Sequence, residues 1–422
     1  MNILILGGGG REHALGWKLS QSSRVEKILF SPGNGGTLNV GENVNLDLAD
    51  HSSVLSWIEK QKIDLVVVGP DEYLAQGVVD SLYEKVKVFG PTKAAAEIEW
   101  SKAYAKQFMA EEGIPTAKFA TFSEMDEAQR YIREEKFPLV IKADGLALGK
   151  GVVIARTLEE ANQALTTIMK EKIYGSAGNK VVIEEFLTGK EISIHAFCDG
   201  ETAILFPSSQ DHKQAFDNDE GPNTGGMGTI APVPGVSEAQ LTEIQEKIII
   251  PTLQGLKKRG RTFLGLLFPG VMLTSGGPKV IEFNARFGDP ETQSYMRLLK
   301  TDLLEILLAC VGGKLMSQKV EWEKGYACCV VLASGGYPHE YKKGISIHGL
   351  ETADTNGVVV FQAGTRFQEE QLVTNGGRVL GVTTTGESLE EALDKAYTLT
   401  QHIHFEGMQF RKDIGQKALT NR

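Results

Sequence analysis

The sequence predicts a multi-domain protein of mixed α/β and α+β class, opening on a Rossmann-like domain and closing on a small strand-rich one. Three features predict it. Short apolar strands alternate with glycine turns and helices from Asn2 to about Ser101, the rhythm of a parallel βαβ sheet. Glycine-rich loops separate strands through the middle of the chain. Beyond Gly325 the apolar runs are short, with turns at Gly335-Gly336 and Asn375-Gly376-Gly377. That last segment reads as a packing domain without a compact chemical motif.

Composition narrows the function. A chain of 422 residues can hold several cores. Apolar residues make up 41% and charged residues 23%, as in ordinary globular proteins. A net charge of -10 opposes an extended nucleic-acid footprint, which needs a basic face. It leaves room for a local positive site. Cys198, Cys310, Cys328 and Cys329 show no C-x-x-C spacing and sit in apolar runs, so reduced, buried thiols are expected. No apolar run is long enough for a membrane span, and the N-terminus lacks a basic leader. The expectation is a cytoplasmic monomer acting on small molecules, with neither nucleic-acid nor membrane partners.

Asn2 to Leu6 reads as a buried strand, Gly7 to Gly10 as a turn, and about Arg11 to Ser20 as a helix. That geometry offers backbone N–H groups to an anion. It fails the dinucleotide fingerprint. Glu12 takes the third glycine position, and the strand Lys27 to Phe30 ends in Ser31-Pro32-Gly33-Asn34 with no acidic residue for a ribose. A nicotinamide-dependent oxidoreductase is therefore disfavoured. The turn reads as a monophosphate or sugar-phosphate site, the alternative being a plain tight turn. Strands Asp64 to Val68 and Val86 to Phe89 complete the first domain.

Lys102 to about Glu111 and Ala128 to Glu135 read as helices, and Pro138 to Asp144 and Gly151 to Arg156 as strands. The loop between those strands, Gly145 to Lys150, is no Walker A loop, because it lacks the Ser or Thr and leads into a strand. It reads as a hairpin whose N–H groups can close over a triphosphate like a lid. Lys142 lies on a half-buried strand, and a buried ammonium needs an anionic partner. Strands Lys180 to Leu187, Ile192 to Cys198 and Thr202 to Phe206 follow. Then come Gln210-Asp211-His212-Lys213 and the glycine loop Gly221 to Gly228. No His/Cys cluster has zinc spacing, and no Ser/His/Asp set is legible.

Glu238 to Arg259 reads as a helix broken at Pro251 and Gly255. Phe263 to Leu273 and Val280 to Arg286 are expected to pair antiparallel. From Lys279 to Arg286, apolar Ile281, Phe283 and Ala285 alternate with Glu282, Asn284 and Arg286, so the polar three share one strand face. A carboxylate and an amide oxygen suit a hard cation such as Mg²⁺. A guanidinium suits a carboxylate or phosphate. The plainer readings are a solvated polar face and an ion pair of Arg286 with nearby Asp289. Asp302 to Val311 and Leu389 to His402 read as helices.

Together these segments resemble the ATP-grasp ligases and, within them, the phosphoribosylamine–glycine ligase family, over essentially the whole chain. The motifs are Gly7 to Ala14, Ser31 to Asn34, Lys142 to Gly145, Gly221 to Gly228, Arg286-Phe-Gly-Asp-Pro-Glu-Thr-Gln293 and Arg411 to Gly415. The resemblance implies a Rossmann-like domain at 1–101 and an ATP-grasp domain at 102–320, with an inserted lid at about 121–187. A strand-rich domain follows at 325–422. It implies ligation of glycine to 5-phosphoribosylamine through glycyl phosphate, with ATP and Mg²⁺ or Mn²⁺ as cofactors. ATP would meet Lys102, Lys142, Gly145, Gly149, Lys150, Gly151 and Lys213, with Glu184 and Leu187 at the adenine and Glu191 at the ribose. Glu282 and Asn284 would hold the metal. Arg286, Lys142 and Asp211 would be catalytic. Gly8, Gly9, Gly10, Arg11, Glu12, Asn34, Thr224, Gly225, Gly226, Met227, Arg286, Gly288 and Asp289 would bind the other substrates. Gly9, Leu148 and Phe268-Pro269-Gly270-Val271 depart from the family's usual residues without removing a chemical group. The alternatives are another ATP-grasp carboxylate–amine ligase or carboxylase, and a nucleotide sensor, which has no need of both Glu282 and Asn284.

Overall fold

The computed structural model describes residues 1–146, 151–352 and 357–420. Gly149 and Lys150 lie outside the described residues. The N-terminal sheet is wholly parallel. Strand Asn2–Gly7 lies between Lys27–Pro32 and Leu65–Val68, with Glu42–Asn43 and Lys87–Phe89 at the edges. Leu4 and Leu6 face one core while Ile3 and Ile5 face another, as expected of a strand covered on both faces.

Lys142 belongs to a different sheet. Leu139–Ala143 pairs antiparallel with Val152–Ala155 and with Val181–Glu185, and Phe119–Phe122 completes four strands. Helices Met125–Glu134 and Leu158–Leu165 cover one face and enclose a separate apolar core. A third sheet is built on the long strand Leu264–Thr274, flanked by Lys190–Ser193, Ala196–Asp199 and Gly277–Asn284.

That last strand departs from the alternation read in the sequence. Val271 pairs with Val280 but Gly270 pairs with Glu282, so Ile281 is the extra residue of a β-bulge. Val280 is therefore the core residue and Ile281 is only half-buried. The strand ends at Asn284, and Arg286 lies just beyond it. The helical stretch after Ser237 also differs. It widens to a π-helical turn over Gln245–Ile249 just ahead of Pro251, which has no N–H to donate, and runs on through Gly255.

The strand-rich C-terminal part is not self-contained. Its strands Tyr326–Ala333, Arg378–Gly386 and Val359–Gln362 continue a sheet begun by Gln210–Asp211 and Gly228–Ala231. Asp211 and the glycine loop thus sit on an edge shared by two parts of the chain. All four cysteines are buried and free. Among the described residues no helix is long and apolar enough to cross a membrane.

Candidate active site

The site lies where the lysine-bearing hairpin meets the bulged strand. Asp144, just after Lys142, accepts hydrogen bonds from Ala103 N–H (3.0 Å) and Ser101 Oγ (3.1 Å) at the start of helix Lys102–Glu112. A carboxylate is favourable there because the first helical N–H groups lack partners. The latch brings Lys102 Nζ within 3.0 Å of the Gly145 carbonyl, to which it donates. One turn on, Lys106 projects from the same helix. Its ammonium and that of Lys142 both lie 2.8 Å from the two carboxylate oxygens of Glu184, and all three side chains are almost fully buried. Lys142 also donates to the carbonyl of the bulged residue Ile281 at 3.0 Å. Burial lowers the Lys106 ammonium to about 8 despite Glu184.

A second cluster continues this one. Lys213 Nζ lies 2.7 Å from Glu191 and 3.4 Å from Glu282. Burial works to lower the Lys213 ammonium, but Glu191 and Glu282 outweigh it and hold it well above its ordinary range. The same lysine, ahead of Lys142 and Lys102, holds Glu282 down at about 2 against its burial. Glu282 is therefore ionised at any working pH. Asn284 Oδ1 accepts from Arg286 Nη2 at 3.1 Å, and its amide donates to the Phe268 carbonyl. Among the described residues no group of three His, Cys, Asp or Glu side chains could cage a metal alone. A cation here would need Glu282, Asn284 and oxygens from outside the protein, which fits a nucleotide-borne ion.

The ion-pair partner of Arg286 is not Asp289. Its Nε lies 3.2 Å from Glu99, whose other oxygen accepts the Ala285 N–H at 2.7 Å. Burial lifts the Glu99 carboxyl to about 7, against the pull of Arg286. Asp289 instead faces Arg378 at 3.5 Å and accepts from Gln293 at 2.9 Å. The reason is chain direction. Arg286 lies past the strand end and turns toward helix Lys93–Trp100, which carries Glu99.

The N-terminal turn meets the Arg286–Gln293 segment. Arg11 Nη1 donates to the Phe287 carbonyl at 3.1 Å. A methyl group on Gly9 would lie 2.9 Å from Asp289 Oδ2, and one on Gly10 would strike Gln293. One N–H of the turn is already taken within the protein. Glu12 folds back into it, accepting from Gly9 N–H at 2.7 Å and from Arg11 Nε at 2.6 Å. Asn34 is likewise committed to the loop. Its amide donates to the Gly8, Gly9 and Gln362 carbonyls, and its oxygen accepts from Gly36 and Thr37. A methyl group on Gly8 would strike the Gly33 carbonyl. These residues shape the wall of the cleft.

In the second glycine loop Thr224 Oγ1 donates to the Lys213 carbonyl and accepts the Gly226 N–H. Arg378 donates to the Gly225 carbonyl, Gly225 N–H donates to Tyr337 Oη, and Met227 N–H to the His212 carbonyl. Leu187 is half-buried after strand Val181–Glu185. The structure brings Lys142, Glu184, Glu191, Lys213, Glu282, Asn284 and Arg286 together through direct bonds or shared neighbours, while Gly149 and Lys150 lie outside the described residues. Sequence reasoning missed Glu99, Lys106, Arg378 and Glu291. Lys106 had a signal, since it stands four residues after Lys102 on one helix face. Glu99 and Arg378 had none, being distant in sequence from their partners.

Most of the chain matches models of one family. Residues 1–99 match the phosphoribosylglycinamide synthetase N domain, 100–292 its ATP-grasp (A) domain and 327–417 its C domain. The phosphoribosylamine–glycine ligase of Caldanaerobacter subterraneus is 49% identical over 98% of this chain and 99% of its own. That of Escherichia coli is 47% identical over 99% of each. The crystal structure of the Thermotoga maritima phosphoribosylamine–glycine ligase superposes with a TM-score of 0.88 at 38% identity, covering 98% of this chain and 100% of that one. A biotin carboxylase from Campylobacter jejuni has a TM-score of 0.74 at 14% identity, over 97% of this chain and 92% of its own, which is a likeness of fold alone.

Proposed function

Because the chain belongs to the phosphoribosylglycinamide synthetase family, we propose that its cleft divides one ligation among three neighbouring groups of residues. The chain is an ATP-dependent carboxylate–amine ligase of purine biosynthesis. It joins glycine to 5-phosphoribosylamine, giving glycinamide ribonucleotide, ADP and phosphate. Free carboxylate does not form an amide at neutral pH, because oxide is too poor a leaving group. A glycine carboxylate oxygen therefore attacks the γ-phosphorus of ATP and ADP leaves. The amine of phosphoribosylamine then attacks the acyl carbon, phosphate leaves, and the nitrogen sheds a proton.

Lys102, Lys142 and Lys213 surround the polyphosphate and oppose its growing charge. Glu184 does two things in this reading. It holds Lys142 in place and compensates Lys106 until a nucleotide arrives. Glu184 and Leu187 reach the adenine through the backbone, and Glu191 meets the ribose. Glu282 and Asn284 hold Mg²⁺ or Mn²⁺, which when bound neutralises phosphate charge. Arg286 binds the glycine carboxylate or the phosphate forming on it, steadied by Glu99. The loop at Thr224–Met227 and the N-terminal wall enclose the phosphoribosylamine.

The observation that carries this reading is the bond from Lys142 to Ile281, one residue before Glu282. It brings the Lys142 ammonium beside Glu282 from two different sheets, which supports reading the one as a phosphate ligand and the other as a metal ligand. Phosphate release with ATP, omitting glycine or phosphoribosylamine in turn, tests it. Release must depend on both; release with either absent at the full rate would point to a different acceptor.

A further inference from the structure

Beside Arg286 lies a group of acceptors with no donor among them. Glu291 is 4% exposed and receives the Ser193 hydroxyl, at 3.2 Å, and its own backbone N–H. Asp211 is half-buried, and its one side-chain bond comes from the N–H of His212 at 2.7 Å. Among the described residues neither carboxylate has a cation within ion-pair distance. The nearby cations are committed elsewhere: Lys213 to Glu191 and Glu282, Arg286 to Glu99, and Arg378 to Asp289. Yet burial raises both carboxyls, and the charge of Glu291 raises the cost of ionising Asp211 further.

His195 adds an independent sign. It is fully buried and stacked on Phe268 with ring centres 3.9 Å apart. Tyr295 Oη donates to the Pro207 carbonyl, so toward His195 Nδ1, 3.2 Å away, it can only accept. That puts the imidazole proton on Nδ1 and leaves Nε2 a bare acceptor. Among the described residues Nε2 has no hydrogen-bond partner. It faces the same gap as Glu291. A methyl group on Gly288 would lie 2.8 Å from His195 Nε2 and 2.5 Å from Glu291 Oε2. Gly288 does not have a positive φ, so its role is to let Glu291 and His195 approach the backbone closely.

Buried acceptors without donors are costly, and buried carboxylates without a cation more so. An ammonium group offers three donors and one positive charge. We propose that Asp211, Glu291 and His195 Nε2 receive the ammonium of the amino-acid substrate. Its carboxylate points to Arg286, whose guanidinium and the Glu291 carboxylate feel each other's charge. This rests on the reading of Arg286 given above.

The test compares glycine with glycolate, which carries a hydroxyl in place of the ammonium, on the full-length enzyme with Mg²⁺. In wild type bound to a non-hydrolysable ATP analogue, glycine is expected to raise the melting temperature and glycolate is not. Asp211→Asn and Glu291→Gln are each expected to raise the glycine KM about tenfold to a hundredfold, the weight of a charge-assisted hydrogen bond. Their ATP affinity should hold. Their melting temperature should be unchanged or higher, because a like-charge pair is relieved. A structural role would instead lower it. Glycolate binding as well as glycine in wild type, or an unchanged glycine KM in both folded variants, would overturn the proposal. A raised KM in Glu291→Gln beside an unchanged one in Arg286→Lys would keep the ammonium receptor and remove only the carboxylate reading.

Discussion

Lys142 Nζ lies 2.8 Å from Glu184 Oε1, and neither side chain is more than 4% exposed. A buried ammonium on a strand is tolerable because a carboxylate from the neighbouring strand meets it. Glu184 does this twice over, holding Lys106 on its other oxygen. The pairing ties helix Lys102–Glu112 to the hairpin, and through the Ile281 carbonyl to the bulged strand.

Glu184→Gln is accordingly expected to destabilise the fold. Two buried ammonium groups would lose the carboxylate that pairs with both, and breaking a buried pair costs about 3–5 kcal/mol. Urea melts of the two proteins measure the difference. A variant within about 0.5 kcal/mol of wild type would mean that the three charges are solvated in solution.

Arg286→Lys separates substrate binding from packing. A lysine can still neutralise Glu99 but cannot present a bidentate fork to a carboxylate. Glycine KM should rise, or turnover fall, by at least about tenfold, with ATP affinity and melting temperature close to wild type. Parallel weakening of all three substrates together with a lower melting temperature would assign Arg286 to the Glu99 pair alone.

Glu99 should leave a mark on the pH dependence of stability. Its carboxyl is lifted from 4.5 to about 7, chiefly by burial. Between those values the folded state holds a proton that the unfolded state has released, so stability falls as pH rises. The contribution is complete below the lower value and lost as pH passes through the upper one. Against Glu99→Gln, which does not titrate, wild type should lose up to about 1.4 kcal/mol per pH unit in this window. Identical slopes in chemical denaturation from pH 4.5 to 7 would contradict the assignment.

Glu282→Gln should weaken activation by the divalent ion. Glu282 is the ionised carboxylate on this strand face, and Lys213 keeps it so. The Mg²⁺ concentration for half-maximal phosphate release should rise about tenfold or more, since an amide is a far weaker ligand for a hard cation. An unshifted Mg²⁺ titration in a folded variant would place the ion elsewhere.

Much of this was written locally. The parallel rhythm from Asn2 to Phe89, the hairpin around Gly145 and the Glu282, Asn284, Arg286 alternation are short-range patterns. Period and glycine placement are what a sequence displays directly. The ordered set of motifs carried the family, because several long matches in register leave little room for chance. The tertiary structure decided what depends on partners far apart in the chain. It shifted the strand register by one residue at Ile281, which no pattern on one strand reveals, because a bulge is a property of a pair. It gave Arg286 to Glu99 rather than Asp289, because a salt bridge follows where the chain turns after Asn284. It folded Glu12 into the turn meant for an anion, and it carried Asp211 onto a sheet shared with strand Tyr326–Ala333. Periodicity fixes which face a side chain takes, whereas burial and charge pairing are set by what the rest of the chain brings to that face.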